Sequence, residues 1–158
     1  MLMFDKIDYK ILDTLQNNAR ITNIELSEKV GISPSPCLRR VKRLEKVGAI
    51  KGYVAILDQK LIGLPINIFI QVSLIHQDED TLIKFEQAVK NSPEVLEAYL
   101  MTGNSDYLLR VVSKDLTSYE IFLKRTLTKV KGIGNIRSSF ALKKVKDNFL
   151  TPILFRKT

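Results

Sequence analysis

With 158 residues, 45% of them hydrophobic, the chain is long enough for one ordinary domain or two small ones and too apolar to be disordered. The formal charge is +8, divided as 11 basic and 7 acidic residues over positions 1–60 and 14 basic and 10 acidic over positions 61–158. A single cysteine, Cys37, excludes a disulfide framework and a cysteine zinc cage and makes a reducing, cytoplasmic setting the default.

The opening MLMFDKID reaches charge at once and lacks the apolar core of a signal peptide. No later stretch approaches the run of roughly 18 apolar residues that a membrane helix needs, so no membrane association is expected. Residues 5–18 then read as a helix capped by Asp5, with Ile7, Ile11, Leu12 and Leu15 as its apolar stripe. Thr22 and Glu25 form a capping box at the head of a short second helix over residues 23–30, and Ile21 is placed to staple onto Leu26. Gly31 stops that helix in the left-handed conformation.

The third helix follows at once, with Ser33 as cap and Pro34 at the first helical position. At about 100° per residue, Cys37, Leu38, Val41 and Leu44 fall on one side, and Ser35, Pro36, Arg39, Lys42, Arg43 and Lys46 on the other. Between Arg39 and Lys51 stand six basic residues and one acidic residue, Glu45, a local charge of 6 − 1 = +5. Only this part of the chain concentrates its positive excess on one helix, which points to duplex DNA more than total charge does. Three helices with a glycine-containing turn before the third make a helix-turn-helix, whose third helix enters the major groove. Ser35, Pro36, Arg39 and Arg43 are expected on the groove face, Arg40, Lys42 and Lys46 nearer the phosphates, and Ser33 at the helix start.

Gly48 ends this helix, and residues 50–57 alternate enough to predict a strand, serving as a wing or as an arm toward a second domain. Residues 58–65, DQKLIGLP, read as the linker. The expected division is residues 1–52 for the DNA-binding domain, 53–64 for a hinge strand and linker, and 65–158 for the second domain.

From Ile66 the period changes to 2: Ile66, Ile68, Ile70, Val72 and Leu74 alternate as a half-buried strand does. Asp80 is expected to cap a helix to about Asn91, with Leu82, Phe85 and Val89 inward. Residues 95–101 and 107–113 form a hairpin around Thr102-Gly103-Asn104-Ser105-Asp106. Asp115 caps a helix to about Val130, with Leu116, Tyr119, Leu123, Leu127 and Val130 on one side. Gly132 and Gly134 then lead into a strand over residues 136–145. The order β-α-β-β-α-β predicts an α+β, ferredoxin-like domain: a four-stranded antiparallel sheet with both helices on one face. The other face would be left bare, which favours a homodimer and hence a palindromic DNA site. The apolar tail TPILF, residues 151–155, is expected as a further short strand that pairs across chains.

Taken together, these segments resemble the Lrp/AsnC family of prokaryotic feast/famine transcriptional regulators, nearest the leucine-responsive branch. The stretch IDYKILDTLQNNARITNIELSEKVGISPSPCLRRVKRLEKVGAIKGY carries the resemblance for the N-terminal domain and MTGNSDYLLRV for the effector domain. The resemblance implies a nucleoid-associated, cytoplasmic, DNA-binding regulator of amino-acid metabolism whose dimers assemble into octamers or similar rings. It also implies an amino-acid effector bound between dimers, and no other cofactor. The implied pocket is Leu100, Met101, Thr102, Gly103, Asn104 and Asp106, faced by Arg137, Ser138, Ser139 and Phe140. The chain departs from the branch at Ser139, where a larger side chain is usual, and at Lys143-Lys144, where acidic residues are common.

Residue chemistry alone allows Gly103 to admit a close main-chain approach and Asp106 to accept from an ammonium group, while the same loop also serves as a plain hairpin turn. His76 reads as an exposed turn residue and Cys37 as a packed thiol, with no metal site at either. Neither a phosphate-binding glycine loop nor a nucleophile with a nearby base is present, so the chain is not expected to be an enzyme. Two other functions fit parts of the pattern: an architectural protein that wraps DNA with little sequence preference and no effector, and a metabolite-binding regulatory subunit, which leaves the basic helix unexplained.

Overall fold

A computed structural model describes residues 4–153. Two compact units emerge, one built on residues up to Ile56 together with the described tail from Lys146, the other spanning Leu57–Val145.

The first unit contains α1 (Lys6–Asn17), α2 (Asn23–Val30) and α3 (Pro34–Lys46). Local chemistry sets their starts. Asp5 accepts from the N–H groups of Ile7 and Asp8 while Asp8 accepts from the Asp5 N–H, a reciprocal capping box. Thr22 and Glu25 do the same for α2, and Gly31, at φ +79°, closes it. Ile11, Leu15, Leu26, Val30, Cys37 and Leu44 form the core. Ser33 occupies the cap position of α3, but its side chain makes no capping hydrogen bond. Pro36, at the third helical position, has no N–H for the cap to accept, so the start of α3 rests on backbone geometry instead. Leu38, expected to pack, is 44% exposed, because it sits roughly 100° around the helix from Cys37, at the edge of the buried stripe.

Residues 51–58 form no strand, against the expected wing or arm, and Val54, Ile56 and Leu57 are exposed. A strand needs a ladder partner, and none of the described residues supplies one. The tail returns to this unit, where the Thr151 N–H donates to Gln16 Oε1 at 3.1 Å. Thr151, Pro152 and Ile153 take no strand conformation, and the rest of the expected tail strand lies outside the described residues.

The second unit is a four-stranded antiparallel sheet in the order β2-β3-β1-β4, from β1 (Ile66–Leu74), β2 (Val95–Leu100), β3 (Tyr107–Ser113) and β4 (Ile133–Phe140). Between β1 and β2 runs α4 (Glu79–Lys90), and between β3 and β4 runs α5 (Leu116–Phe122), continued by a π-helical turn, Leu123–Leu127. Ile68, Ile70 and Val72 of β1 and Tyr107, Leu109 and Val111 of β3 share one core with Phe85, Val89, Tyr119, Phe122 and Leu127. Both helices therefore cover the same sheet face. On the opposite face Phe69 and Tyr99 are exposed, and Arg110 bridges to Glu97 at 2.8 Å.

Several expected boundaries shift. Asp78, not Asp80, caps α4, accepting from the Thr81 N–H and hydroxyl; this leaves Glu79 and Asp80 in the first turn, where the helix dipole favours them. Leu116, expected to face inward, is exposed at the first position of α5, and the buried side of that helix is Tyr119 and Phe122. β4 begins at Ile133 and ends at Phe140, whose partner is Ile68, short of the expected residue 145. Gly132, at φ +96°, also lies so close to α4 that a Cβ there would meet Thr81 Cγ2 at 2.6 Å.

Candidate functional site

The outward face of α3 separates its cations into two groups. Relative to Cys37, Arg40 and Arg43 lie roughly 60° and 120° around the helix on one flank, whereas Lys42, Lys46 and Arg39 lie roughly 140° to 180° away. The flank residues meet α1. Arg40 Nη1 donates to Asp5 Oδ2 at 2.7 Å and Asp8 Oδ1 at 2.8 Å, and Arg43 Nη2 donates to Asp8 Oδ2. Asp8 is only 1% exposed, yet its oxygens also accept the Asp5 N–H at 3.1 Å, so this buried carboxylate is fully hydrogen-bonded. The N–H of Asp8 chiefly, with Arg40 adding to it, holds the Asp5 carboxyl below the usual carboxylate range, and the two aspartates raise Arg40.

Arg43, grouped with the groove residues from sequence, is thus half of an ion pair, and Arg40, grouped with the phosphate contacts, is shared between two carboxylates. Arg39, Lys42 and Lys46 are exposed and form no ion pair among the described residues. Ser35 is exposed and Pro36 half-buried at the start of the same face, with Ser33 exposed just before it. Sequence reasoning missed Asp8. The signal was available, an acidic residue one turn into the first helix on its apolar side, but its partners lie 32 and 35 positions away.

In the sheet unit, the 101–106 loop joins β2 to β3. Asp106 does not offer a free acceptor: its Oδ2 accepts the Leu74 N–H at 2.7 Å and its Oδ1 accepts Gln77 Nε2 at 2.5 Å. The Met101 N–H reaches the Asp106 carbonyl at 2.8 Å, and the Ser73 hydroxyl reaches that of Asn104 at 3.3 Å. Gly103 has φ +115°, and a Cβ added there would meet nothing within 4 Å, so its backbone angle, not a close approach within the chain, accounts for glycine there. Thr102 and Asn104 are exposed.

The expected facing wall does not assemble beside this loop in one chain. Leu100 is on β2 and Arg137, Ser138, Ser139 and Phe140 are on β4, the two opposite edges of the sheet, a separation of three strand spacings or roughly 14 Å. Alternation divides the wall as well. Ser138 hydrogen-bonds the Tyr119 hydroxyl and Phe140 meets the Tyr119 ring edge-on at 5.4 Å, both on the helix side. Arg137 and Ser139, paired with Gln71 and Phe69, lie on the bare side. Leu100 instead lines a cavity of about 200 Å³ with Phe85, Val89, Ala98 and Tyr107, while Met101 is exposed. There, burial first and the Glu86 carboxylate second push the Tyr107 hydroxyl up to about 12.

His76 is exposed, and Cys37 is buried, with burial pushing its thiol up. Among the described residues no group of His, Cys, Asp and Glu could hold a metal ion, and no helix is long and apolar enough to cross a membrane.

Comparison with known proteins sets these two units in context. The winged helix-turn-helix DNA-binding family matches residues 4–51, and the Lrp/AsnC ligand binding domain matches residues 67–151. The chain belongs to the Lrp/AsnC family of transcriptional regulators. Among its Lrp/AsnC relatives, the Bkd operon transcriptional regulator of Pseudomonas aeruginosa is 45% identical, over 97% of this chain and 100% of its own. The leucine-responsive regulatory protein of Haemophilus influenzae is 42% identical, over 92% and 89% respectively. A crystal structure of a Neisseria meningitidis transcriptional regulator in complex with L-methionine superposes with a TM-score of 0.89 at 41% identity, covering 95% of this chain and 97% of that one. An AsnC family regulator from Agrobacterium tumefaciens gives a TM-score of 0.89 at 36% identity, covering 94% and 97%. This Lrp/AsnC chain is therefore a DNA-binding transcriptional regulator with an α+β fold and a ligand-binding domain, and not an enzyme.

Proposed function

We propose that the chain is a sequence-specific, nucleoid-associated regulator of amino-acid metabolism that docks α3 in the major groove of a palindromic site, with Arg39, Lys42 and Lys46 as its free cations and Ser33, Ser35 and Pro36 at the entry to the groove. The observation that carries this reading is the exposure of those three cations on one face of α3, without ion-pair partners among the described residues. Arg39→Ala should weaken binding to a selected palindromic duplex by tenfold or more in a moderate-salt shift assay, consistent with about 1–3 kcal/mol for a base-reading arginine. Lys84→Ala, which removes an exposed partner of Asp80 in the sheet unit, should leave binding unchanged. Equal effects of the two substitutions would remove α3 from the interface.

The effector is a free amino acid, a reading supported by the L-methionine found in the Neisseria regulator. The 101–106 loop supplies one side of its pocket. Because Leu100 and β4 lie on opposite edges of the sheet and Arg137 and Ser139 face its bare side, Arg137 and Ser139 act through a second copy, in a homodimer built on the bare sheet face and assembled further into an octamer or similar ring. A thermal-shift screen of the twenty amino acids on the wild-type chain and on Asp106→Ala tests this: a stabilising hit that persists unaltered in the variant would remove Asp106 from the pocket.

A further inference from the structure

A recognition helix faces a problem that its own charge creates. Every arginine free to reach a phosphate adds affinity for any duplex, because counterion release does not depend on sequence. Such contacts raise non-specific binding along with specific binding, and it is the ratio of the two that decides where a regulator sits. From sequence, the stretch between Arg39 and Lys51 offers six cations.

The structure neutralises two of them. Arg40 and Arg43 close onto Asp5 and Asp8 of α1, a cluster whose formal charges sum to −2 + 2 = 0. Asp8 is the member that cannot be replaced by solvent. It is 1% exposed, it is the one carboxylate shared by both arginines, and its third partner is the Asp5 N–H, which fixes it to the first turn of α1. The arginines keep 29% and 48% of their side-chain surface exposed, so they stand beside the groove face without being loose on it. Breaking the cluster at Asp8 frees Arg43, which has no other carboxylate, and leaves Arg40 with Asp5 alone.

We infer that Asp8 is a specificity-determining residue: by holding Arg43 alone and Arg40 jointly with Asp5, it withholds positive charge from sequence-independent phosphate binding. The inference rests on α3 being the DNA-reading helix. It makes Asp8 a positioning residue, acting through side chains it orients.

The test measures binding of the full chain by fluorescence anisotropy across a salt series, to a random-sequence duplex pool and to the tightest duplex that the wild-type chain selects from that pool. Asp8→Asn keeps the shape and removes the charge. Its affinity for the random pool should rise several-fold, its salt dependence should steepen by about one charge per protomer, and the ratio of selected to random affinity should fall. A purely structural Asp8 would instead lower both affinities by one common factor with the slope unchanged, and that result overturns the proposal. Should circular dichroism show Asp8→Asn to be unfolded, Arg43→Gln decides. An unchanged random-pool slope upholds the proposal, and a slope shallower by about one charge overturns it. Arg39→Gln separates the two readings: its slope should become shallower, and if it does not while Asp8→Asn behaves as expected, the groove assignment of Arg39 fails and the role of Asp8 stands.

Discussion

Each unit of this regulator holds a carboxylate at a junction of its elements, and the two are held by different chemistry. Asp8, buried in the helical unit, accepts from two guanidinium groups and one backbone N–H. Asp106, half-buried at the foot of a sheet hairpin, accepts from the neutral donors of Leu74 and Gln77. Charge-assisted bonds are about twice as strong as neutral ones, and a charge left bare in a buried place is expensive. Asp8 is consequently a fixed part of the head, whereas in the proposed effector reading Asp106 would exchange only the exposed Gln77 amide for an ammonium group. The difference separates a carboxylate held by cations from one held by neutral donors.

The largest effects should come from the two cores, and they calibrate the comparison. Phe85→Ala empties the centre of the sheet unit and Ile11→Ala that of the helical unit; urea denaturation should register losses of about 3–5 and 2–5 kcal/mol respectively. Next, Asp106→Ala leaves the Leu74 N–H without its acceptor, which should cost about 1–3 kcal/mol in the same assay. Gln77→Ala sharpens the point: if Gln77 is exchangeable, this variant should keep or strengthen the thermal-shift response to amino acids, and a lost response would break the contrast with Asp8. Smaller again is the pair of helix caps. Thr22→Ala should cost about 1 kcal/mol, and Ser33→Ala clearly less, since the Ser33 hydroxyl caps nothing.

The smallest effect is a pH dependence. Asp5 is depressed in the folded chain, so its contribution is present above the ordinary aspartate value of about 3.9 and is lost as pH falls through the lower folded value. Melting temperature should drop across that acidic window, and less steeply in Asp5→Asn. An identical acid profile in the variant would show that Asp5 adds nothing to the cluster.

What could be read beforehand follows the range of the interaction. Caps whose partners sit two or three residues away, at Asp5, Thr22 and Asp115, were legible, as was the period-2 pattern of Ile68, Ile70 and Val72. The run Gln77-Asp78-Glu79-Asp80 offers two competing cap residues, and composition does not choose between them. The pairing of Asp8 with Arg40 and Arg43 depends on how α3 is rotated against α1, a quantity that a charge tally does not contain. It turned a patch that looked uniformly cationic into a neutral flank and a charged face. The loop at 101–106 was found, but the hydrogen bonds of Asp106 come from β1 and the residues after it, some 30 positions earlier in the chain. The wall at Arg137 to Phe140 is what the family resemblance implies, and strand alternation divides those four residues between two faces.

The π turn at Leu123–Leu127 buries Phe122 and Leu127 five positions apart, a spacing that ordinary α winding would place on different sides. A homologue one residue shorter in that interval would wind a plain helix with its apolar positions four apart. A one-residue gap opened there in an alignment would then record a change of winding, with no loop gained or lost.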